Sequence, residues 1–310
     1  MNVLELAKAL QDAKDRDEVT RGHSILVYGA PKSGKSALAA TCAESDNIDN
    51  VYFFDNENSW EVMLWMLKAG KLSEKAAAKI VVVNISDNVR EPHAIETMLK
   101  VMNSMKAPIY IRMSDGKLQP QAPRGEDPDI LKFQMSKLTL RDVVITDSLS
   151  QLGDSAAAGI MLGRSDTAKM EWDDYAAQGK WLGDCLSVVQ QAKYCNFVCV
   201  THEILLPDQD GVDKFFPMCG TRNFCHKVAK YFGTVITTKM KVGKHIAGSK
   251  TNFSKQCLTG SRRGIELENM KEASLAPLFD TATMENEVTA TANSAPSNVP
   301  RRGSLLKNRG

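Results

Sequence analysis

The chain has 310 residues, with 39 Lys+Arg against 37 Asp+Glu, a formal net charge of +2, and 43% hydrophobic residues. At roughly 150 residues per domain this length holds one large or two small folded units, and the composition is that of a globular protein able to build a core. The longest apolar runs, such as Ile80–Val83 and Phe197–Val200, fall far short of the ~20 residues that cross a bilayer, and Met1–Glu5 lacks a secretory leader's basic-then-apolar pattern. An integral membrane or secreted protein is therefore not expected.

Residues 1–18 read as an amphipathic helix, with Leu4, Leu6, Ala7 and Leu10 set against Lys8, Asp12, Lys14 and Asp15. This N-terminal segment (1–20) either packs on the edge of the domain or docks on another protomer. From Ser24 onward short apolar runs alternate with helical stretches: Ile25–Tyr28, Val51–Phe54, Ile80–Ile85, Val143–Thr146 and Phe197–Thr201. Such a pattern predicts an α/β fold, a mostly parallel sheet with helices on both faces. The clearest helix spans about Trp172–Tyr194, with Tyr175, Trp181, Leu182, Cys185, Leu186 and Val189 on its apolar side. Residues 114–129, rich in Gly and Pro, read as a loop-like insertion. The folded domain is placed at 21–278. Residues 279–310, poor in large apolar side chains and basic at the end, read as a disordered tail.

Seven cysteines without C-x-x-C spacing read as reduced thiols used in packing. Zinc held by Cys219, Cys225 and His226 fits knuckle spacing poorly.

Gly29-Ala30-Pro31-Lys32-Ser33-Gly34-Lys35-Ser36 satisfies G-x-x-x-x-G-K-[ST], directly after one apolar run and before helix-forming Ala37–Ala40. Strand, loop and helix are the context this motif needs. Its glycines let backbone N–H groups wrap an anion at a helix start. Lys35 is placed on the β- and γ-phosphates and the Ser36 hydroxyl on Mg²⁺. The chain is thus expected to bind ATP with Mg²⁺. A second acid for the metal ion is expected at the end of a buried strand, and Val143-Val144-Ile145-Thr146-Asp147 supplies Asp147. Val51–Phe54 ends in Asp55-Asn56-Glu57. Alternate residues of an extended chain share a face, so both acids can point at the nucleotide. Glu57 is the candidate base, and either acid also fits a helix cap or a solvated loop. Thr201 and His202 end the fourth of these strands, where open α/β sheets bind ligands, and read either as γ-phosphate sensors or as an ordinary loop pair.

In this order the motifs resemble a RecA-like core, and more closely the short phage-encoded RecA-like ATPases of the Sak type, associated with single-strand annealing and recombination. Most of the likeness lies in Ile145–Gly153, Gly179–Glu203 and Lys230–Gly264, and it extends over roughly residues 20–270. The resemblance implies an ATPase core, with Glu57 as catalytic glutamate, Asp147 as the Mg²⁺-associated aspartate and Thr201-His202 as strand-end sensor. It also implies a homo-oligomer, ring or filament, in the host cytoplasm, with a single-strand-binding protein as a further partner. RecA-like cores commonly complete their sites across a protomer boundary. Arg262 and Arg263 are the candidates for a charge donated to a neighbour, or else a surface pair on DNA. Lys32 departs from the usual pattern, and its direction (nucleotide, neighbour or solvent) stays open.

The small net charge hides a segregation. From Lys214 to Ile265 no Asp or Glu occurs, while eleven Lys and Arg do. Such a stretch reads as a basic face for single-stranded DNA, carried by Lys239, Lys241, Lys244, Lys250 and Lys255, with Phe215, Phe216, Phe224 and Phe253 available to stack on bases. The expected function is DNA-stimulated ATP hydrolysis in recombination or replication. A hexameric RecA-like motor and a small-molecule phosphotransferase are the competing readings.

Overall fold

The structure, a computed structural model, describes residues 21–88, 91–165, 167–241, 244–250, 256–262, 267 and 273–280. The predicted N-terminal helix (1–20), residues 281–310 of the tail, Phe253, Lys255 and Arg263 lie outside them.

Five parallel strands follow the five apolar runs: β1 (Ser24–Gly29), β2 (Asn50–Asp55), β3 (Ile80–Asn84), β7 (Asp142–Asp147) and β8 (Asn196–Pro207). The minor strands β4 (Ile109–Arg112), β5 (Leu118–Gln119) and β6 (Ile130–Phe133) precede β7 in the chain. After β8 come β9 (Asp213–Pro217), β10 (Thr234–Lys241), β11 (Lys244–Gly248) and β12 (Gly260–Ser261). Among the described residues the main sheet has the order β11-β10-β1-β8-β7-β2-β3, with β12 on β10 and β9 on β8. From β10 to β3 all pairs are parallel, and β9, β11 and β12 add antiparallel edges. This is the α/β fold expected from the sequence.

Every residue of β1 and β7 is buried, which explains unbroken apolar runs where an exposed sheet would alternate. Alternate side chains feed two cores. Leu26, Tyr28, Phe54, Val144 and Phe197 pack with α4 (Ala94–Asn103), α5 (Leu149–Met161) and α6 (Trp172–Gln191). Ile25, Val27, Phe53, Ile145 and Val198 pack on the other face with α1 (Lys35–Ala40), α2 (Glu61–Lys68) and α3 (Glu74–Ala77). Glu171 and Asp174 form a reciprocal capping box at the start of α6.

Four expectations change. The insertion at 114–129 is the turn region of a three-stranded antiparallel sheet, β5-β4-β6. The apolar residues on either side of it pair, and Phe133 stands edge-on to Tyr52 and Phe54 at 5.3 and 5.8 Å. Strand β10, unmarked by an apolar run because threonines fill it, pairs directly with β1. Tyr175 is 45% exposed, not on the apolar side of α6. Phe279 belongs to the domain rather than the tail: it ends α7 (Ala276–Phe279), is buried, and stands edge-on to His23 at 5.2 Å. A phenylalanine that closes a core cannot be part of a solvated tail.

Candidate functional site

Parallel strands with crossover helices bring their carboxyl ends to one edge. Register aligns them: Gly29 pairs with His202, Val200 with Asp147, and Asp147 with Asp55. The predicted phosphate loop, its acids and His202 therefore meet there, although Asp147 and His202 lie 118 and 173 residues beyond Gly29 in sequence.

The phosphate loop leaves β1 at Gly29, where a Cβ would stand 2.4 Å from the Thr238 carbonyl oxygen of β10. Gly34 takes a left-handed backbone (φ 90°), and a Cβ there would stand 2.7 Å from the His245 ring of β11. Both positions demand glycine. Ser33 bonds through its hydroxyl to Thr238 Oγ1 at 2.6 Å. Pro31 and Lys32 form the turn, closed by Ser33 N–H onto Ala30 O at 3.2 Å, and Ala30 O also accepts from Lys35 Nζ at 2.9 Å. Lys32, also left-handed at φ 62°, is exposed.

Lys35 is buried at 6% exposure. Burial pulls its ammonium below the usual lysine value, against the charges of Asp147, Glu57 and Glu203. Its Nζ also lies 3.4 Å from His202 Nδ1, and His202 Nε2 lies 3.3 Å from Glu57 Oε1. An ammonium only donates, so Nδ1 accepts, the proton sits on Nε2, and His202 donates to Glu57. Lys35, His202 and Glu57 thus form one chain.

Glu57 is fixed by further hydroxyls. Ser148 Oγ donates to its Oε1, and Ser150 Oγ lies 2.7 Å from Ser148 Oγ. Burial acts to raise the Glu57 carboxyl. The hydrogen bonds from His202 and Ser148, with the charge of Lys35, outweigh it and hold the group below the usual carboxylate range. Asp55 has another task. Its two oxygens accept from the backbone N–H groups of Glu57 (3.0 Å), Ser59 (3.1 Å) and Trp60 (2.8 Å). Asp55 builds the turn, and Asn58, left-handed at φ 56° as asparagine tolerates, turns the chain after Glu57.

Asp147 is 1% exposed, and its Oδ2 accepts from Ser59 Oγ at 2.6 Å. Oδ1 is buried with no hydrogen-bond partner. Burial pushes the carboxyl up to about 6, against the Ser36 and Ser59 hydroxyls that pull it down. An orphaned buried carboxylate oxygen beside the Ser36 hydroxyl is a donor set that fits Mg²⁺, a hard cation preferring oxygen. The Asp147–Ser148 peptide bond is cis, and Asn56 bonds both polar groups of the Ser148 backbone, through Oδ1 to its N–H and through Nδ2 to its carbonyl at 3.1 Å.

The other candidates scatter. Thr201 is fully buried and its hydroxyl donates to the Met218 carbonyl, so it pins the β8–β9 hairpin and does not face the nucleotide site. Arg262 lies at the opposite end of the sheet. With Arg21 and Ser24 it lines a cavity of about 100 Å³, a strand length, ~20 Å, from Gly29. It has no part in its own chain's site. Lys239, Lys241 and Lys244 occupy the β10–β11 hairpin, Lys241 opposite Lys244. Because His245 of this hairpin packs on Gly34, these lysines sit beside the phosphate loop, not on a separate face. Lys250 is exposed, and its carbonyl accepts from Thr259 Oγ1 at 2.6 Å. The aromatics expected to stack on bases are largely committed elsewhere: Phe216 is buried, Phe215 packs against the core, and Phe224 stacks on Tyr231 at 6.2 Å. Among the described residues no cluster of three or more Cys, His, Asp or Glu suits a metal ion. None of their helices is long and apolar enough to cross a membrane.

Ser148, Asn56 and Ser59 were missed in the sequence. A polar residue after a strand carries no signal until the neighbouring strand end is known.

No family model matches the chain, and no curated protein matches it. Among solved structures it is similar to the RadB recombinase, at a TM-score of 0.37 and 13% identity, over 77% of this chain and 86% of that one. It is also similar to an ATPase from the type III secretion system of pathogenic bacteria, at a TM-score of 0.39 and 15% identity, over 71% of this chain and 51% of that one. The fold assignment stands on the strand order itself, a mostly parallel sheet covered by helices on both faces.

Proposed function

We propose that this protein binds and hydrolyses ATP and couples hydrolysis to single-stranded DNA, as the resemblance to Sak-type recombination ATPases implies. The observation that carries the reading is the Lys35–His202–Glu57 chain beside the orphaned Asp147 oxygen. It puts a cation, a histidine, a carboxylate held ionised at neutral pH and a metal-ligating group at one strand edge.

Gly29–Ser36 would hold the phosphates, with Lys35 leaving the Ala30 carbonyl and His202 for the anion. Ser36 and Asp147 would hold Mg²⁺, which when bound neutralises phosphate charge. Glu57, fixed by Ser148 and His202, orients and deprotonates the attacking water. His202, freed from Lys35, reports the change to the β8–β9 hairpin, since its carbonyl accepts from Met218 N at 2.8 Å. Arg262, too far from its own site, is assigned to a neighbour's in a homo-oligomer, where such a charge is worth ~10³-fold or more. Arg263 shares that assignment. The basic stretch, Lys239, Lys241, Lys244, Lys250 and Lys255 included, supplies the field that attracts DNA.

The test is phosphate release from ATP with and without single-stranded DNA. Turnover that DNA stimulates, and that Lys35→Ala abolishes, is expected. Turnover indifferent to DNA but stimulated by a small acceptor would replace this reading with phosphotransfer.

A further inference from the structure

The largest exposed aromatic surface lies away from the nucleotide site. Trp172 opens α6 at 83% exposure and Tyr175 stands one turn on at 45%. Residues three and four apart share a helix face, and this face forms one wall of a groove of about 630 Å³. Arg222, Phe224 and Lys227 form the other wall. Gly179 lies at the floor between the walls, close to the Phe224 ring, which a Cβ there would meet at 3.8 Å. No acidic residue lines it. Glu171 and Asp173, the chain neighbours of Trp172, are not among its lining residues, and Asp174 is held by Arg164 through contacts of 2.6 and 2.7 Å. A tryptophan this exposed, in a groove whose only charges are positive, marks a binding surface and not a gap in the core.

We propose that this groove binds a run of single-stranded nucleic acid, with bases stacked on Trp172 and Tyr175 and phosphates at Arg222 and Lys227. The chemistry is that of single-strand binders: ring faces that accept any base, and cations that follow the backbone. Gln178 and Thr221 are already engaged, Gln178 Nε2 donating to the Gly153 carbonyl at 2.8 Å and Thr221 Oγ1 accepting from Phe224 N–H at 3.2 Å, while the exposed Asn223 offers a polar group beside the two cations. The proposal rests on the single-stranded-DNA reading above and moves its centre from the lysine hairpin to this groove. It also gives a route to the nucleotide. Gly220, beside the groove, packs on Gly153 of α5 so closely that a Cβ at Gly153 would stand 2.6 Å from its N. Helix α5 starts at Leu149, directly after Ser148, and the run from Gly220 back to Met218 reaches the His202 carbonyl.

The test is anisotropy of a labelled oligothymidylate titrated with the full chain at several salt concentrations. Trp172→Ala and Tyr175→Ala should each weaken binding by roughly 5- to 100-fold, the range of one stacked base, while Trp172→Phe keeps most of the affinity. Arg222→Ala with Lys227→Ala should lower the log–log salt slope by about 1.4, at ~0.7 per phosphate contact. Both aromatics are exposed, so the variants should melt at the wild-type temperature. Wild-type affinity in the Trp172→Ala/Tyr175→Ala double variant would overturn the groove assignment and leave the surface to a protein partner. A wild-type protein that binds no oligothymidylate, with or without ATP, would instead overturn the DNA reading itself.

Discussion

Two acids end strand β2, and the structure gives them opposite duties that two near-isosteric substitutions separate. Glu57→Gln keeps an oxygen for the Ser148 hydroxyl and His202, so the loop should survive and the thermal midpoint should fall less than in Asp55→Asn. What it removes is basicity, worth ~10²- to 10⁴-fold in turnover, or about 3–5 kcal/mol of barrier. Asp55→Asn acts on stability. Three backbone N–H groups converge on that carboxylate. An amide nitrogen in place of one oxygen orphans at least one buried donor, at about 1–3 kcal/mol. At roughly 2–4 °C per kcal/mol for a domain of this size class, the midpoint should drop by several degrees. The assays are phosphate release at saturating ATP, nucleotide affinity by calorimetry, and thermal melting. Glu57→Gln should bind ATP normally and fail to turn over, and Asp55→Asn should melt early. Wild-type turnover in Glu57→Gln, or an unchanged midpoint in Asp55→Asn, would refute the division of roles.

The raised Asp147 carboxyl makes a pH prediction. Its pKa is about 6 folded against an ordinary 3.8, so its burial penalty on folding is present at pH 7 and is relieved as pH falls through 6. Mg²⁺ must displace that proton, so Mg²⁺-dependent nucleotide affinity should weaken below pH ~6 with proton uptake on release. Calorimetry in two buffers checks this, and Asp147→Asn should abolish the pH dependence. Glu57 has the opposite sign: its lowered carboxyl adds stability above the usual carboxylate range and loses it as pH falls through the folded value. Gly34→Ala should lose nucleotide binding, because the left-handed backbone and the His245 ring both exclude a Cβ; equilibrium dialysis against ATP reads it. Phe279→Ala should destabilise by about 3–5 kcal/mol in urea titration, the range for a buried phenylalanine, whereas a solvated tail residue would leave the midpoint unmoved. If Arg262 serves a neighbour, mixing Arg262→Ala subunits with Lys35→Ala subunits should restore part of the turnover; no rescue at any ratio would remove it from the mechanism.

Much of this protein was legible in one dimension because the signals are local. A strand buried on both faces must be apolar throughout, so β1, β2, β3, β7 and β8 announce themselves. A loop that wraps phosphate needs glycine where a Cβ would collide, so Gly29 to Ser36 can be read without a fold. Asp147 and Glu57 follow from position at strand ends. Composition misled where it stood in for geometry. The basic stretch from Lys214 to Ile265 is continuous in sequence, yet the sheet sends Lys241 and Lys244 to the phosphate loop and Arg262 to the far end of β1. Phe215, Phe216 and Phe232 of that stretch pack inward because burial rewards apolar area wherever a core is within reach. Tertiary structure alone decided that Asp55 holds a turn while Glu57 faces His202, since those roles depend on which donors fold back onto each oxygen. It alone set Trp172 across a groove from Arg222. Fifty residues separate them in sequence, and no periodicity spans that distance; only the packing of α5 and α6 against the β8–β9 hairpin makes them neighbours.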